Sequence, residues 1–327
     1  MTRSTLALLL ALPLLALSSL HFGVRFTPPA EVWRALTEGG TDQAALIVTT
    51  LRLPRTLIAV TVGAGLALSG LLMQTVTRNV LAEPGLMGVN AGGAFAAVLL
   101  VTFTGEQLML PVMLAACGGA MLAAATVYGV ARLGGGAAPL HLLLAGFVIA
   151  ALLMSGTQIV LVSQERSMEE LLFWLSGSFA YGELWTIVPA AAVISVIAIL
   201  CLFYARSLDV LTADDATAGA LGLPVAAARS TAVAGAALLA GVCVAIAGPV
   251  AFVGLAAPHV ARRMGARGHA ALIPLSMLAG AVLALLADIL SRFVVYPTEA
   301  PVGSVLAMIG VPVLLALLRR RPRLEAA

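Results

Sequence analysis

The chain has 327 residues, 61% of them hydrophobic and 10% charged, with a mean hydropathy of +1.07 and a formal net charge of +3. That mix is too apolar for a water-facing surface, so the implied solvent is lipid, where backbone amides must be satisfied within helices or a closed barrel. The sequence lacks the alternation of a barrel and reads as helices. All eighteen basic residues are arginine and lysine is absent, which excludes a glycine-rich phosphate loop ending in lysine and, with it, ATP hydrolysis by that motif. The arginines are spread between apolar runs rather than clustered, a pattern that fits membrane faces and not nucleic-acid binding. Cys117, Cys201 and Cys243 lie inside apolar runs without CxxC spacing, so neither a disulfide framework nor a metal site is indicated.

Cutting the chain at its charges leaves uncharged runs at 4–24, 56–77, 84–105, 107–131, 133–164, 184–205, 230–261, 268–287 and 300–318, each able to hold a spanning helix of about 20 residues. Ala16-Leu17-Ser18 resembles a signal-peptide cleavage site, but the apolar run continues past it and an uncleaved first helix is preferred. The run 230–261 is too long for one pass, and Gly248-Pro249 should break it in two. Residues 171–182 are too few to span and are expected to form a re-entrant or interfacial half-helix. The expected fold is all-α and polytopic: ten transmembrane helices plus that half-helix, a single transmembrane domain over 1–327, and no soluble domain. Started from the inside, this topology leaves twelve arginines on the cytoplasmic face and six outside, as the positive-inside rule requires, with both termini cytoplasmic. GAGLALSG (63–70) and GVCVAIAG (241–248) share small residues at matched places, either a trace of an inverted repeat or a chance match.

Three polar islands interrupt the runs. The first is Arg52-Leu53-Pro54-Arg55, where proline is expected to set up a helix start and the arginines to sit at the outer mouth or to snorkel to headgroups. The second runs from Arg78 and Asn79 through Glu83-Pro84-Gly85 to the pair Gly92-Gly93, a turn placed to constrict a pore. The third, residues 212–224, reads as a short helix with Asp214 and Asp215 at its N-terminus and Gly222 as its stop, suited to docking a soluble partner.

In this order, LRLPR (51–55), RNVLAEPGLMGVNAG (78–92), DATAGALG (215–222), GPVAFVGLAAPHVAR (248–262), LADILSR (286–292) and EAPVG (299–303) resemble the permease subunits of type II ABC importers, the iron-siderophore, haem and cobalamin uptake family. The resemblance covers essentially the whole chain. It implies a bacterial inner-membrane permease paired with a second copy or a close paralogue. Two ATPase subunits would hold ATP and magnesium below, and a periplasmic or lipid-anchored binding protein would deliver ligand from above. No cofactor is implied for this chain. By the same resemblance Arg52, Arg55 and Arg292 contact acidic residues of the binding protein, and Asn79 and Leu81 narrow the cytoplasmic exit. Asp214, Asp215, Ala218, Leu221 and Gly222, in a coupling segment at about 207–228, connect to the ATPase. Independently of the resemblance, the topology puts the three arginines outside, where complementary charge would orient docking. Two departures stand out: Val80 where the family has proline, and Ala138, Pro139 and Leu140 where hydroxyl residues are common, so no gate is assigned there.

Asp288 is the acid near the end of an apolar run, and Arg292, four residues on, is its natural helical partner, which favours an ion pair over a proton relay. His21, His141, His259 and His269 are scattered and outline no metal cluster. Trp174, Tyr181 and Trp185 around the half-helix fit an interfacial belt. Neither an HExxH motif nor a convincing serine–histidine pair marks an intramembrane enzyme. The chain is thus expected to move a large metal chelate, an iron(III)-siderophore first because such carriers dominate the family, with haem or cobalamin as alternatives. Proton-coupled transport through Asp288 is the rival from another class.

Overall fold

A computed structural model describes residues 3–23, 25–105, 109–133, 139–163, 173–180, 184–296 and 298–319, and among these the chain forms helices and turns with no strand. In chain order the helices are α1 (Arg3–His21), α2 (Pro29–Thr37), α3 (Leu53–Thr77), α4 (Val89–Thr104), α5 (Met109–Leu133), α6 (Pro139–Val162) and α7 (Leu184–Phe203). There follow α8 (Ala205–Leu211), α9 (Asp215–Ala220), α10 (Val225–Ala247), α11 (Val253–Arg263), α12 (His269–Ser291) and α13 (Val302–Arg319). Six described segments are long and apolar enough to cross a bilayer: Gln43–Thr77, Leu110–Leu133, Leu140–Val162, Leu184–Phe203, Val225–Ala247 and His269–Ser291. Thr5–His21, Val89–Thr104 and Val302–Pro312 are shorter apolar helices.

The bundle is built around α3. It is apolar on all sides and buried along most of its length, as a helix without a polar face must be. α10 and α12 flank it, both antiparallel to it. Ser69 Oγ donates to Ala236 O and Cys243 Sγ reaches Val62 O at 3.7 Å on one side, while Arg55 meets Asp288 and Thr75 meets His269 on the other. Lipid offers no hydrophobic gain from pressing helices together, so close packing has to hold them, and small residues permit it. A methyl group added at Gly63 would lie 2.4 Å from Gly280 O, and one at Gly70 would lie 1.9 Å from Gly254 O. The small residues of 63–70 and 241–248 each have a steric cause of their own: Gly63 and Gly70 pack on Gly280 and Gly254, Gly65 on Cys243, Gly241 on Ala120 and Gly248 on Trp174.

One expectation is revised. Residues 25–55 hold the short helix α2, whose Val32 and Ala35 pack inward. They also hold helical turns Gln43–Leu46 and a π-helical turn Ile47–Arg52 that run on into α3. Pro54 sits in the first turn of α3, as expected, and the π-helical turn before it extends the helical segment back to Gln43, 35 residues in all. Cutting at charges misplaced this start because Arg52 and Arg55 are satisfied inside the protein. Between α10 and α11 the break falls where expected. Gly248 has φ 69°, and a side chain there would collide with Trp174 O at 2.1 Å.

Of the expected half-helix at 171–182, Phe173–Leu175 are helical before the chain turns at Ser176 and Gly177; residues 171, 172, 181 and 182, including Tyr181, lie outside the described residues. Ser178 N donates to Ala247 O at 2.9 Å and Gly303 N to Gly177 O at 3.3 Å, so this segment wedges the α10–α11 break against the start of α13. α6 lies at the edge: Phe147, Ile159 and Val162 are exposed, an apolar surface that lipid or another helix covers.

Candidate functional site

At 1.5 Å per residue the helical segment Gln43–Thr77 is roughly 50 Å long, more than the hydrocarbon core of about 30 Å, long enough for its two ends to reach opposite interfaces. Toward the first end, where the π turn joins α3, sit Arg52, Arg55 and Arg292. Arg52 donates to Leu20 O, His21 O and Thr27 Oγ1 at 2.8–2.9 Å and to Arg25 O, so it caps the unsatisfied carbonyls at the C-terminus of α1. Arg55 donates Nε to Asp288 Oδ1 at 2.6 Å and pairs with Glu299. Arg292 donates to Ser19 O and Phe22 O at 2.7 Å and takes the other oxygen of Asp288, the helical pair expected from their spacing. Asp288, fully buried, is thus shared by two guanidinium groups. Exposures of 6% for Arg52, 8% for Arg55 and 2% for Arg292 place all three beneath the surface rather than on it. They line a cavity of about 390 Å³ together with Arg25, Glu299 and Ala180.

The opposite end of α3 stops at Arg78, which takes a left-handed conformation at φ 48°. Asn79 and Leu81 follow in a tight turn: Leu81 N donates to Asn79 Oδ1 and Ala82 N to Asn79 O, both at 3.0 Å. Val80 occupies the second position of this turn, the place where proline fits best, and the asparagine side chain supplies local order in its stead. Leu81 is partly exposed, while Ala82 and Met87 are buried and hold the loop against the bundle. Glu83 reaches back to the N-terminus of α11, accepting from the N–H of Phe252, itself at φ 70°. Loss of solvent pushes the Glu83 carboxyl up to about 7, and the bond from Phe252 opposes that rise.

Beside this loop lies α9. Asp214 caps it by accepting from Thr217, which holds the Asp214 carboxyl below its ordinary range. Asp215 is held low by hydrogen bonds from Arg229 and Arg78. Gly222, at φ 82°, ends the segment as expected. Leu221 is 67% exposed and Gly222 is exposed, whereas Ala218 is 0% exposed and packs inward, so these residues divide between a free face and a seat. The first two site groups expected from sequence therefore assemble at opposite ends of one helix, and the third adjoins the second. Ala138 lies outside the described residues.

Several polar contacts were invisible to sequence reasoning. Arg55 and Asp288 are separated by 233 positions, and the pairing of Asp209 with His269 crosses 60. The signal that was available for His269 is its place as the first residue of an apolar helix, directly after Gly268.

A family model described as the FecCD transport family matches residues 9–320. The Fe(3+) dicitrate transport system permease protein FecC of Escherichia coli (strain K12) is 38% identical over 305 residues, covering 89% of each chain. The cobalamin import system permease protein BtuC of Halobacterium salinarum is 37% identical over 284 residues, 86% of this chain and 76% of its own. Among solved structures, an inward-facing metal-chelate type ABC transporter superposes with a TM-score of 0.84 at 28% identity, covering 97% of this chain and 98% of the other. The chain belongs to the FecCD transport family and is a membrane-spanning permease of the ABC importer class.

Proposed function

We propose that this permease, paired with a second copy or a close paralogue, forms the pore of a binding-protein-dependent importer in the bacterial inner membrane. Two separate ATPase subunits, holding ATP and magnesium, drive it by alternating access. Both termini and the Asn79–Leu81 turn face the cytoplasm in this reading, with the arginine end outside. The observation that carries it is the division of chemistry along Gln43–Thr77: a basic cavity at one end, and a polar turn beside an exposed short helix at the other. A binding protein docks on the arginine end. Because Arg52, Arg55 and Arg292 are already engaged, a docking carboxylate meets them by entering the 390 Å³ cavity, not on a flat surface. Leu221 and Gly222 give the ATPase an exposed contact.

The cargo is proposed to be a large iron(III) chelate of the siderophore class, supported by the ferric and metal-chelate names of the relatives above. The name of the Halobacterium relative favours cobalamin as the second candidate. Proton coupling through Asp288 is disfavoured by its two arginine partners. Reconstitution in liposomes with the cognate ATPase and binding protein tests the mechanism. Uptake should stop when hydrolysis is blocked, and uptake indifferent to hydrolysis would sink it. The ligand retained by the purified binding protein decides the cargo.

A further inference from the structure

α9 is tied to the gate more closely than docking alone requires. Asp214 is spent on its own helix, accepting from Thr217 N at 2.8 Å and Thr217 Oγ1 at 2.7 Å. Asp215 turns the other way: its Oδ1 accepts from Arg78 and, at 2.8 Å, from Arg229 on α10. Arg78 is the residue immediately before Asn79, and its Nε also donates to Leu211 O at 3.3 Å, the last residue of α8. A second tie reaches the same turn of α3 from α8. Asp209 Oδ1 accepts from His269 N at 2.8 Å and lies 2.6 Å from His269 Nδ1, while His269 Nε2 lies 2.7 Å from Thr75 Oγ1. The last turn of α3 is therefore tied at both its ends to one segment, α8 and α9: directly at Arg78, and at Thr75 through His269 of α12.

We propose that the Asp215–Arg78 contact, braced by Asp209, His269 and Thr75, is the positioning linkage through which the coupling segment moves the gate. A pull on α9 then displaces the end of α3 and, with it, Asn79 and Leu81. This rests on the reading of α9 as the ATPase contact and of the Asn79–Leu81 turn as the exit, and it assigns Asp215 inward, toward the gate, rather than outward to the ATPase. The side chain of Asp215 is 55% exposed, so the pair is wet and can be remade during each cycle.

The test uses the full transporter, with its ATPase and binding protein, in proteoliposomes, and reads ligand carried per ATP hydrolysed. Asp215→Asn and Arg78→Gln should each lower that ratio about tenfold with ATPase attachment and hydrolysis near wild type, and the double variant should do no worse than either, as partners in one contact do. Asp215→Glu, which keeps the charge, should recover part of the loss. A ratio unchanged in both single variants, or a double whose loss is the product of the singles, overturns the linkage. Loss of the ATPase from the Asp215→Asn complex overturns it too, making Asp215 a direct contact. Should both single variants fail to assemble, Asp209→Asn probes the second tie by the same ratio, and an unchanged value again overturns the proposal. Wild-type uptake independent of hydrolysis strikes the underlying importer reading instead.

Discussion

The two ends of α3 use the same chemistry, arginine against carboxylate, in opposite surroundings. Asp288 is 0% exposed and lies between Arg55 and Arg292, while the side chain of Asp215 is 55% exposed and bridges Arg78 and Arg229. Breaking a buried pair strands a charge without water and is expensive; an exposed pair exchanges its partner for water at little cost. The first end therefore behaves as a fixed anchor, joining α1, α3 and α12. The second is a joint that can open and close. On the function proposed above, a docking face held still and an exit that moves call for one of each.

The largest effect should come from the anchor. Asp288→Asn leaves two buried guanidinium groups short of their counter-charge and is expected to cost about 3–5 kcal/mol, read by denaturant unfolding in detergent. A loss below about 1 kcal/mol, the level of an exposed pair, would erase the contrast between the ends. Next comes the shaft between them. Gly70→Ala drives a methyl group into the backbone of α11 and should cost roughly 1–3 kcal/mol by the same measurement, with no such penalty if α3 and α11 are loosely packed.

At the movable end, Glu83 makes a pH-dependent prediction. Its carboxyl is raised from an ordinary value of 4.5 to about 7, so the folded state favours the protonated form, and stability contributed by that form declines as pH rises from 4.5 to about 7. Glu83→Gln, which keeps an acceptor for Phe252, should flatten the melting-temperature profile across that window; matching wild-type and variant slopes would refute it. The smallest effect belongs to Asp214→Ala. Loss of the cap should weaken α9 locally, seen as faster amide exchange at residues 215–220 with global stability unchanged. Because the Asp214 carboxyl is held below its ordinary 3.8, the cap operates at neutral pH and fails only as pH falls below that value, so exchange there should stay slow from neutrality down to about pH 4.

Much of this protein was legible along the chain, because lipid imposes a local rule: each crossing segment must be an apolar helix that satisfies its own backbone, whatever its neighbours do. The apolar runs, the break at Gly248-Pro249, the Asp288–Arg292 pair at helical spacing and the Asp-capped helix ending at Gly222 all follow from residues within a few positions of one another. Only the tertiary structure decided where the charges are spent. Charge alone marked Arg52 and Arg55 as the boundary of a helix and the edge of a surface. In the fold they lie beneath the surface, where the π turn joins α3, because α1 brings carbonyls from 32 positions away and α12 brings Asp288 from 233. The same holds for Asp215 and His269, whose partners on α3 come within reach only when antiparallel helices set their ends together. Helix formation depends on sequence neighbours, but pairing a buried charge depends on which helices pack, and no local pattern carries that information.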